Sequence, residues 1–158
     1  MRSTAIVLLC LAPLCLTLAA CGNDAPKPAK RIDTLQEAVT RDGDVTIRAN
    51  VIASAHLNER MARDYGIPRD GHSVLLMVSV RRGPEGADVS LPATITASAT
   101  NLQGQTQPIP MREMRIGEWI DYIGTARMTP PETLRFDLKI VREGAAASTM
   151  TFSRDFEP

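Results

Sequence analysis

Alternation of apolar and polar residues is the feature that most constrains the fold of this chain. Apolar side chains recur at every second position along residues 45–51, and residues 134–140 repeat the pattern. A period of two places successive side chains on opposite faces of a β-strand, so each run predicts a half-buried strand. In residues 74–80 the second face also carries apolar side chains, Leu75 and Met77. This run therefore predicts a central strand that is buried on both sides.

Four further segments complete the predicted strands, and turns rich in glycine and proline separate them. The weaker strand patterns cover residues 88–100, 106–115, 118–127 and 148–156. About seven short strands at this spacing predict an all-β protein that folds as an antiparallel β-sandwich.

Two short helices are predicted beside the strands. Residues 57–65 are good helix formers between Asn58, a suitable N-cap, and Gly66, a suitable residue to follow the last turn. A second short helix is predicted over residues 33–41, with Asp33 as its N-cap. We expect the first helix to cross an end of the sandwich.

The N-terminus carries an export signal. Arg2 precedes an apolar run over residues 5–18 that is shorter than the roughly 20 residues of a membrane span. The sequence Leu18-Ala19-Ala20-Cys21 then resembles the lipobox of bacterial lipoproteins. We expect cleavage after residue 20 and lipidation of Cys21, which would anchor the protein to a membrane.

This signal predicts three regions: a lipoprotein signal peptide at 1–20, a lipidated tether with the short helix at 21–43, and the β-sandwich domain at 44–158. The residue after Cys21 is Gly22 rather than aspartate, which in Gram-negative lipoproteins favours sorting to the outer membrane. The expected location is the inner leaflet of the outer membrane, facing the periplasm.

Charge and cysteine content exclude several classes of function. The chain has 18 basic and 18 acidic residues, so it lacks the strong positive field with which proteins bind nucleic acid. Cys10 and Cys15 lie inside the signal peptide, which leaves Cys21 as the single thiol of the mature chain. The expected partners are the membrane, through the lipid, and another envelope protein.

Residue types that support catalysis are sparse. No serine stands in a nucleophile elbow, and no glycine-rich loop has the lysine of a phosphate-binding loop. We therefore predict a non-enzymatic binding module with no catalytic residue, metal site or cofactor. The alternative is an envelope hydrolase or metal-dependent enzyme in which His56 and His72 converge with nearby carboxylates.

The candidate binding surface combines a polar turn with charged and aromatic residues downstream. Its residues are Asn101, Gln105, Arg112, Glu113 and Tyr122. A structural reading stays open, in which the turn serves only to set the backbone shape and Arg112 and Glu113 form a solvated pair. A third reading is a spacer or inhibitor that adds a strand at an exposed sheet edge beside residues 148–156.

Several sequence blocks together resemble domain-of-unknown-function family 4426, a family of small exported bacterial proteins. The resemblance covers about residues 44–158 and is carried by Ser54 to Leu57, Ala62, Tyr65-Gly66-Ile67, Arg69, residues 100–105, Arg112-Glu113, Ile120, Tyr122-Ile123, residues 134–137, Phe152, Phe156 and Pro158. It implies an immunoglobulin-like sandwich and no particular activity.

The chain departs from the family pattern at three places. Asp121-Tyr122 stands where the family tends to have two adjacent tyrosines, and Arg48-Ala49 stands where it tends to have a His-Tyr pair. Asp70 replaces a frequent serine. If those aromatic residues form a functional surface in the family, part of that surface is missing here.

Overall fold

The computed structural model describes residues 37–157, which form ten β-strands, one α-helix and one turn of 3₁₀ helix. The signal peptide, Cys21 and the tether lie outside the described residues. The strands are β1 (Ala38–Asp42), β2 (Val45–Ala53), β3 (Ser73–Arg82), β4 (Val89–Ser90), β5 (Thr94–Asn101), β6 (Thr106–Ile109), β7 (Arg112–Ile116), β8 (Trp119–Arg127), β9 (Glu132–Val141) and β10 (Ser148–Phe156). The 3₁₀ turn is Ser54–His56 and the helix, α1, is Glu59–Tyr65.

The strands form two antiparallel sheets. The larger sheet has the order β1-β2-β3-β8-β7, with β4 paired to the end of β3, and the smaller sheet has the order β10-β9-β5-β6. Alternate residues of both sheets form one shared core, in which Ile47, Leu76, Phe136 and Ile140 are fully buried. This arrangement is the all-β sandwich that the alternating sequence pattern predicts.

The strand number differs from the predicted seven because two predicted strands are each divided. Residues 88–100 form β4 and β5, which belong to different sheets, and residues 106–115 form β6 and β7, which also belong to different sheets. The chain changes sheet at Pro110 and Met111, where a proline cannot donate a ladder hydrogen bond. A period-two pattern continues through such a corner, so the sequence alone does not reveal it.

The remaining strand, β1, corrects the helix predicted over residues 33–41 wherever the structure describes this segment, since residues 33–36, with Asp33, lie outside the described residues. Residues 38–41 of that segment belong to strand β1, which pairs with β2 through a tight turn at Gly43. The cross-strand ion pair between Arg48 and Glu37, at 2.9 Å, lies at the start of this hairpin. The sandwich domain therefore begins before residue 44, because β1 is an integral edge strand of the larger sheet.

The predicted helix at residues 57–65 is present with the predicted caps. The side chain of Asn58 accepts the backbone N–H of Met61 at 2.8 Å, and Gly66 takes the left-handed conformation with φ 66°. The helix packs on the outer face of the larger sheet rather than across an end of the sandwich. Its contacts form a second apolar cluster around Leu75 and Ile123, which explains why β3 is apolar on both faces. Within residues 37–157, no helix is both long and apolar enough to span a bilayer.

Candidate functional site: a cleft beside α1

The predicted surface residues Asn101 and Gln105 close the β5–β6 hairpin. The Asn101 side chain accepts the backbone N–H of Gln105 at 2.9 Å and donates to the Gln105 side chain at 2.8 Å. Gly104 completes the turn with φ 79° and donates its N–H to the carbonyl of Asn101 at 3.0 Å. Both polar side chains hydrogen-bond within the turn, which agrees with the structural reading of this motif.

Tyr122 is not part of an exposed surface, which corrects its place among the candidate binding residues. Its side chain is in the sandwich core and only 5% exposed. The hydroxyl accepts the backbone N–H of Ala93 at 2.7 Å, just before β5. Burial raises the pKa of the Tyr122 hydroxyl, so it remains protonated at neutral pH.

Arg112 and Glu113 are adjacent on the edge strand β7 but point to opposite faces of the sheet. Glu113 accepts from Arg115 at 2.5 Å, and this exposed pair is the solvated type of ion pair. Arg112 faces α1: its Nη2 donates to the carbonyl of Tyr65 at 2.6 Å, and its Nη1 contacts the sulfur of Met114 at 3.2 Å. Of the predicted surface residues, Arg112 lines the cleft that is described below.

The segments that carry His56 and His72 are held together by polar contacts. The buried hydroxyl of Ser54 donates to Asp70 at 3.2 Å and accepts the backbone N–H of Gly71 at 3.1 Å. Asp70 also accepts the backbone N–H of His72 at 2.9 Å. Both histidines are exposed. Among residues 37–157, no three His, Cys, Asp or Glu side chains lie close enough together to hold a metal ion.

The loop at residues 70–72 forms one side of a cleft of about 460 Å³ on the outer face of the larger sheet. Strand β8 provides the floor through Ile123, Gly124 and Thr125. On the β3 side the cleft is bounded by Asp70 and His72, and on the β7 side by Arg112. The C-terminal end of α1 and the β6–β7 corner supply the remaining walls. The volume lies within the range of sites that bind small molecules.

Charged groups stand on both sides of this cleft. The backbone N–H of His72 holds the pKa of the Asp70 carboxyl below its ordinary value, with a smaller contribution from the Ser54 hydroxyl, so Asp70 is ionised at neutral pH. Arg112 and Arg127 are the cations. The backbone of Arg127 is fixed because the Gln107 side chain bonds both its N–H, at 2.9 Å, and its carbonyl, at 2.8 Å.

Gly124 explains how the β6–β7 corner comes so close to β8. A Cβ at this position would lie 2.6 Å from Ile109 and 2.8 Å from the carbonyl of Pro110. Only glycine permits this approach, so the residue shapes both the sheet change and the cleft wall. Sequence reasoning did not identify the cleft because its residues come from three distant segments. A glycine in the middle of the β8 strand pattern was the available signal.

A separate polar cluster lies at the other end of the same sheet face. Arg81 packs over the ring of Trp119, 4.4 Å from its centroid, bonds Asp121 at 2.6 Å and also donates to Ser90. Burial raises the pKa of Asp121, and the charge of Arg81 opposes this shift. Trp119 is 48% exposed beside Ile116, its cross-strand neighbour. The mutual bonds of this cluster satisfy its charged groups.

Together, the two facing sheets and the cleft define a small all-β sandwich with a concave site on an outer sheet face. The family model of the domain of unknown function DUF4426 matches residues 39–157, and the chain belongs to this family. The sequence resemblance is thereby confirmed over nearly the whole sandwich domain.

Two solved structures share the fold. A DUF4426 family protein from Pseudomonas aeruginosa PAO1 is 27% identical, with a TM-score of 0.64 over 77% of this chain and 95% of that chain. FetP from uropathogenic Escherichia coli strain F11, recombinantly expressed in the periplasm, is 14% identical, with a TM-score of 0.56 over 78% of this chain and 96% of that chain. No curated protein matches the sequence.

Proposed function

We propose that this protein is a lipid-anchored component of the bacterial envelope that acts as a non-enzymatic binding module. The observation that carries the proposal is the cleft beside α1, with Arg112 fixed at its rim. A guanidinium that is held by a main-chain carbonyl and a methionine sulfur, and that has further N–H donors, is preorganised for a polar partner. The proposed role of the cleft is to bind a ligand or a segment of another envelope protein.

The N-terminal sequence supports the envelope location. The lipobox at residues 18–21 provides both export and a lipid anchor on Cys21, and Gly22 favours the inner leaflet of the outer membrane. FetP, which has the same fold, was expressed in the periplasm, a compartment that agrees with this location. Between Cys21 and the first described residue, Glu37, the chain has 15 residues, which when fully extended would reach roughly 50 Å.

Anchoring is tested by labelling cells with a palmitate analogue. The full-length protein should incorporate the label and fractionate with the outer membrane, whereas Cys21→Ser should lose the label and leave the membrane fraction. Labelling that persists in Cys21→Ser would disprove lipidation at this residue.

Binding at the cleft is tested by filling it. Thr125 is an exposed threonine on the cleft floor, and Thr96 is an exposed threonine on the outer face of the smaller sheet. Molecules that co-purify with the protein from solubilised membranes should be lost with Thr125→Trp and retained with the matched control Thr96→Trp. Equal recovery with both variants would show that the cleft is not the binding site.

A further inference from the structure

The charges around the cleft indicate the chemical class of its ligand. We infer that the cleft binds a short peptide with a free amino terminus and a free carboxyl terminus. This inference rests on the proposed binding function of the cleft and adds the identity of the ligand class. Its basis is the separation of a fixed carboxylate and a fixed guanidinium by the strand that forms the cleft floor.

The anionic side is Asp70, which precedes β3. Both hydrogen bonds from the protein reach the same oxygen, Oδ1: one comes from the backbone N–H of His72 and the other from the hydroxyl of Ser54. These bonds fix the orientation of the carboxylate, while Oδ2 accepts no hydrogen bond from residues 37–157. An ionised carboxylate with an open oxygen at a cleft rim is complementary to an ammonium group.

The cationic side is Arg112, on the opposite flank of β8. Its guanidinium donates through Nη2 to the Tyr65 carbonyl and through Nη1 towards Met114, which fixes the plane of the group. A guanidinium has five N–H donors, so others remain to bind a carboxylate. Arg127, whose backbone is fixed by Gln107, adds a second positive charge to the cleft.

The space between these charges has mixed polarity. Accessible apolar surface comes from the half-buried ring of Tyr65 and from the exposed prolines Pro68 and Pro110, while Leu75 and Ile123 lie buried beneath the floor. Apolar surface between opposite charges suits a molecule with ionic ends and an apolar middle. A volume of about 460 Å³ falls in the range of drug-sized ligands, a size that a di- or tripeptide fills.

The test uses the full-length protein in detergent micelles and isothermal titration calorimetry at low ionic strength. The probe is alanyl-leucyl-alanine, compared with its N-acetylated form and its C-terminal amide. The free tripeptide should bind, and blocking either end should weaken binding about tenfold or more, because each block removes one charge-assisted contact. Equal affinity for the free and blocked peptides, or no binding of the free tripeptide, would overturn the inference without the use of any variant.

Two variants test which side of the cleft binds each end of the peptide. Arg112→Gln should remove the preference for the free carboxylate over the amide, and Asp70→Asn should remove the preference for the free amine over the acetylated form. Asn keeps Oδ1 as an acceptor for the 70–72 loop. The matched control is Arg115→Gln, on the same strand but the other sheet face, and it should bind all three peptides as the wild type does.

Failure of the peptide inference can be distinguished from failure of the proposed binding function. If Thr125→Trp abolishes co-purification but the free tripeptide does not bind the wild type, the cleft is a binding site for another kind of ligand. In that case the peptide inference is wrong and the proposed function stands.

Discussion

The hydroxyl of Tyr122 on β8 lies 2.7 Å from the backbone nitrogen of Ala93 and accepts its N–H. This contact joins the larger sheet to the segment that leads into β5 of the smaller sheet. The Tyr122 side chain is only 5% exposed, so water does not readily take the place of its hydroxyl as the acceptor of the Ala93 N–H. One hydrogen bond thereby fixes how the chain passes between the two sheets.

Tyr122→Phe should remove this bond with almost no change in side-chain volume. The N–H of Ala93 then lacks its acceptor, and we expect the free energy of unfolding to fall by about 1–3 kcal/mol. Urea denaturation followed by circular dichroism measures the change. Tyr65→Phe is the matched control and should cost less, because the Tyr65 hydroxyl bonds no other group among residues 37–157. An equal loss in both variants would contradict the assigned role of Tyr122.

The sequence predicted the strands and α1 well because their patterns are local. The alternation along β2, β3 and β9 and the caps Asn58 and Gly66 depend on residues within one segment. Strand β1 was missed because its sequence also suits a short helix and only its pairing with β2 decides the outcome. Tertiary pairing overrode a weak local propensity there.

The candidate site was predicted less completely because it depends on distant segments. Asn101 and Gln105 satisfy one another in a hairpin, and Tyr122 faces the core, so the predicted surface is not continuous. Arg112 does reach the cleft, but through a bond to Tyr65, 47 positions away in the sequence. No periodicity in a single sequence reports such a contact.

Gly124 supplies a second prediction about the fold. In Gly124→Ala the new Cβ would lie 2.6 Å from Ile109 Cγ2 and 2.8 Å from the Pro110 carbonyl, and the backbone carbonyl has little freedom to move. We expect a loss of about 1–3 kcal/mol in the free energy of unfolding. Thr125→Ala, at the exposed neighbouring position, should cost far less. A stable Gly124→Ala protein would mean that the β6–β7 corner can shift away from β8.

The hairpin turn gives a third prediction, which separates architecture from binding. Asn101→Ala removes the acceptor of the Gln105 N–H and should lower the free energy of unfolding by about 1 kcal/mol. Gln105→Ala keeps that backbone bond and should cost less. Co-purification through the cleft should be unchanged in both variants. Loss of the partner in a fully stable Gln105→Ala protein would instead identify the turn as a binding site.

Arg142 and Asp42 form an ion pair that links the ends of β9 and β1. The Arg142 guanidinium is buried, and its Nε has no hydrogen-bond partner among residues 37–157. Asp42→Ala should therefore destabilise the protein by about 1–3 kcal/mol, because it leaves a buried charge without its partner. The double variant Asp42→Ala with Arg142→Met should recover most of this loss in urea denaturation. A double variant less stable than Asp42→Ala would contradict this account, because Arg142 would then stabilise the fold without its partner.

Asp70 gives the final prediction, which concerns acid stability. The His72 N–H and the Ser54 hydroxyl hold the pKa of its carboxyl below the ordinary value of 3.8 in the folded protein. Near and below that pH the unfolded chain binds more protons than the folded chain, so stability decreases as pH falls. The contribution of Asp70 to stability is complete above the unfolded pKa and is lost as pH falls through the lower folded pKa.

Asp70→Asn has no titrating group at this position, so its free energy of unfolding should fall less between pH 5 and pH 3 than that of the wild type. Urea denaturation at both pH values measures the difference, and equal decreases would show that the loop does not hold the ionised carboxylate.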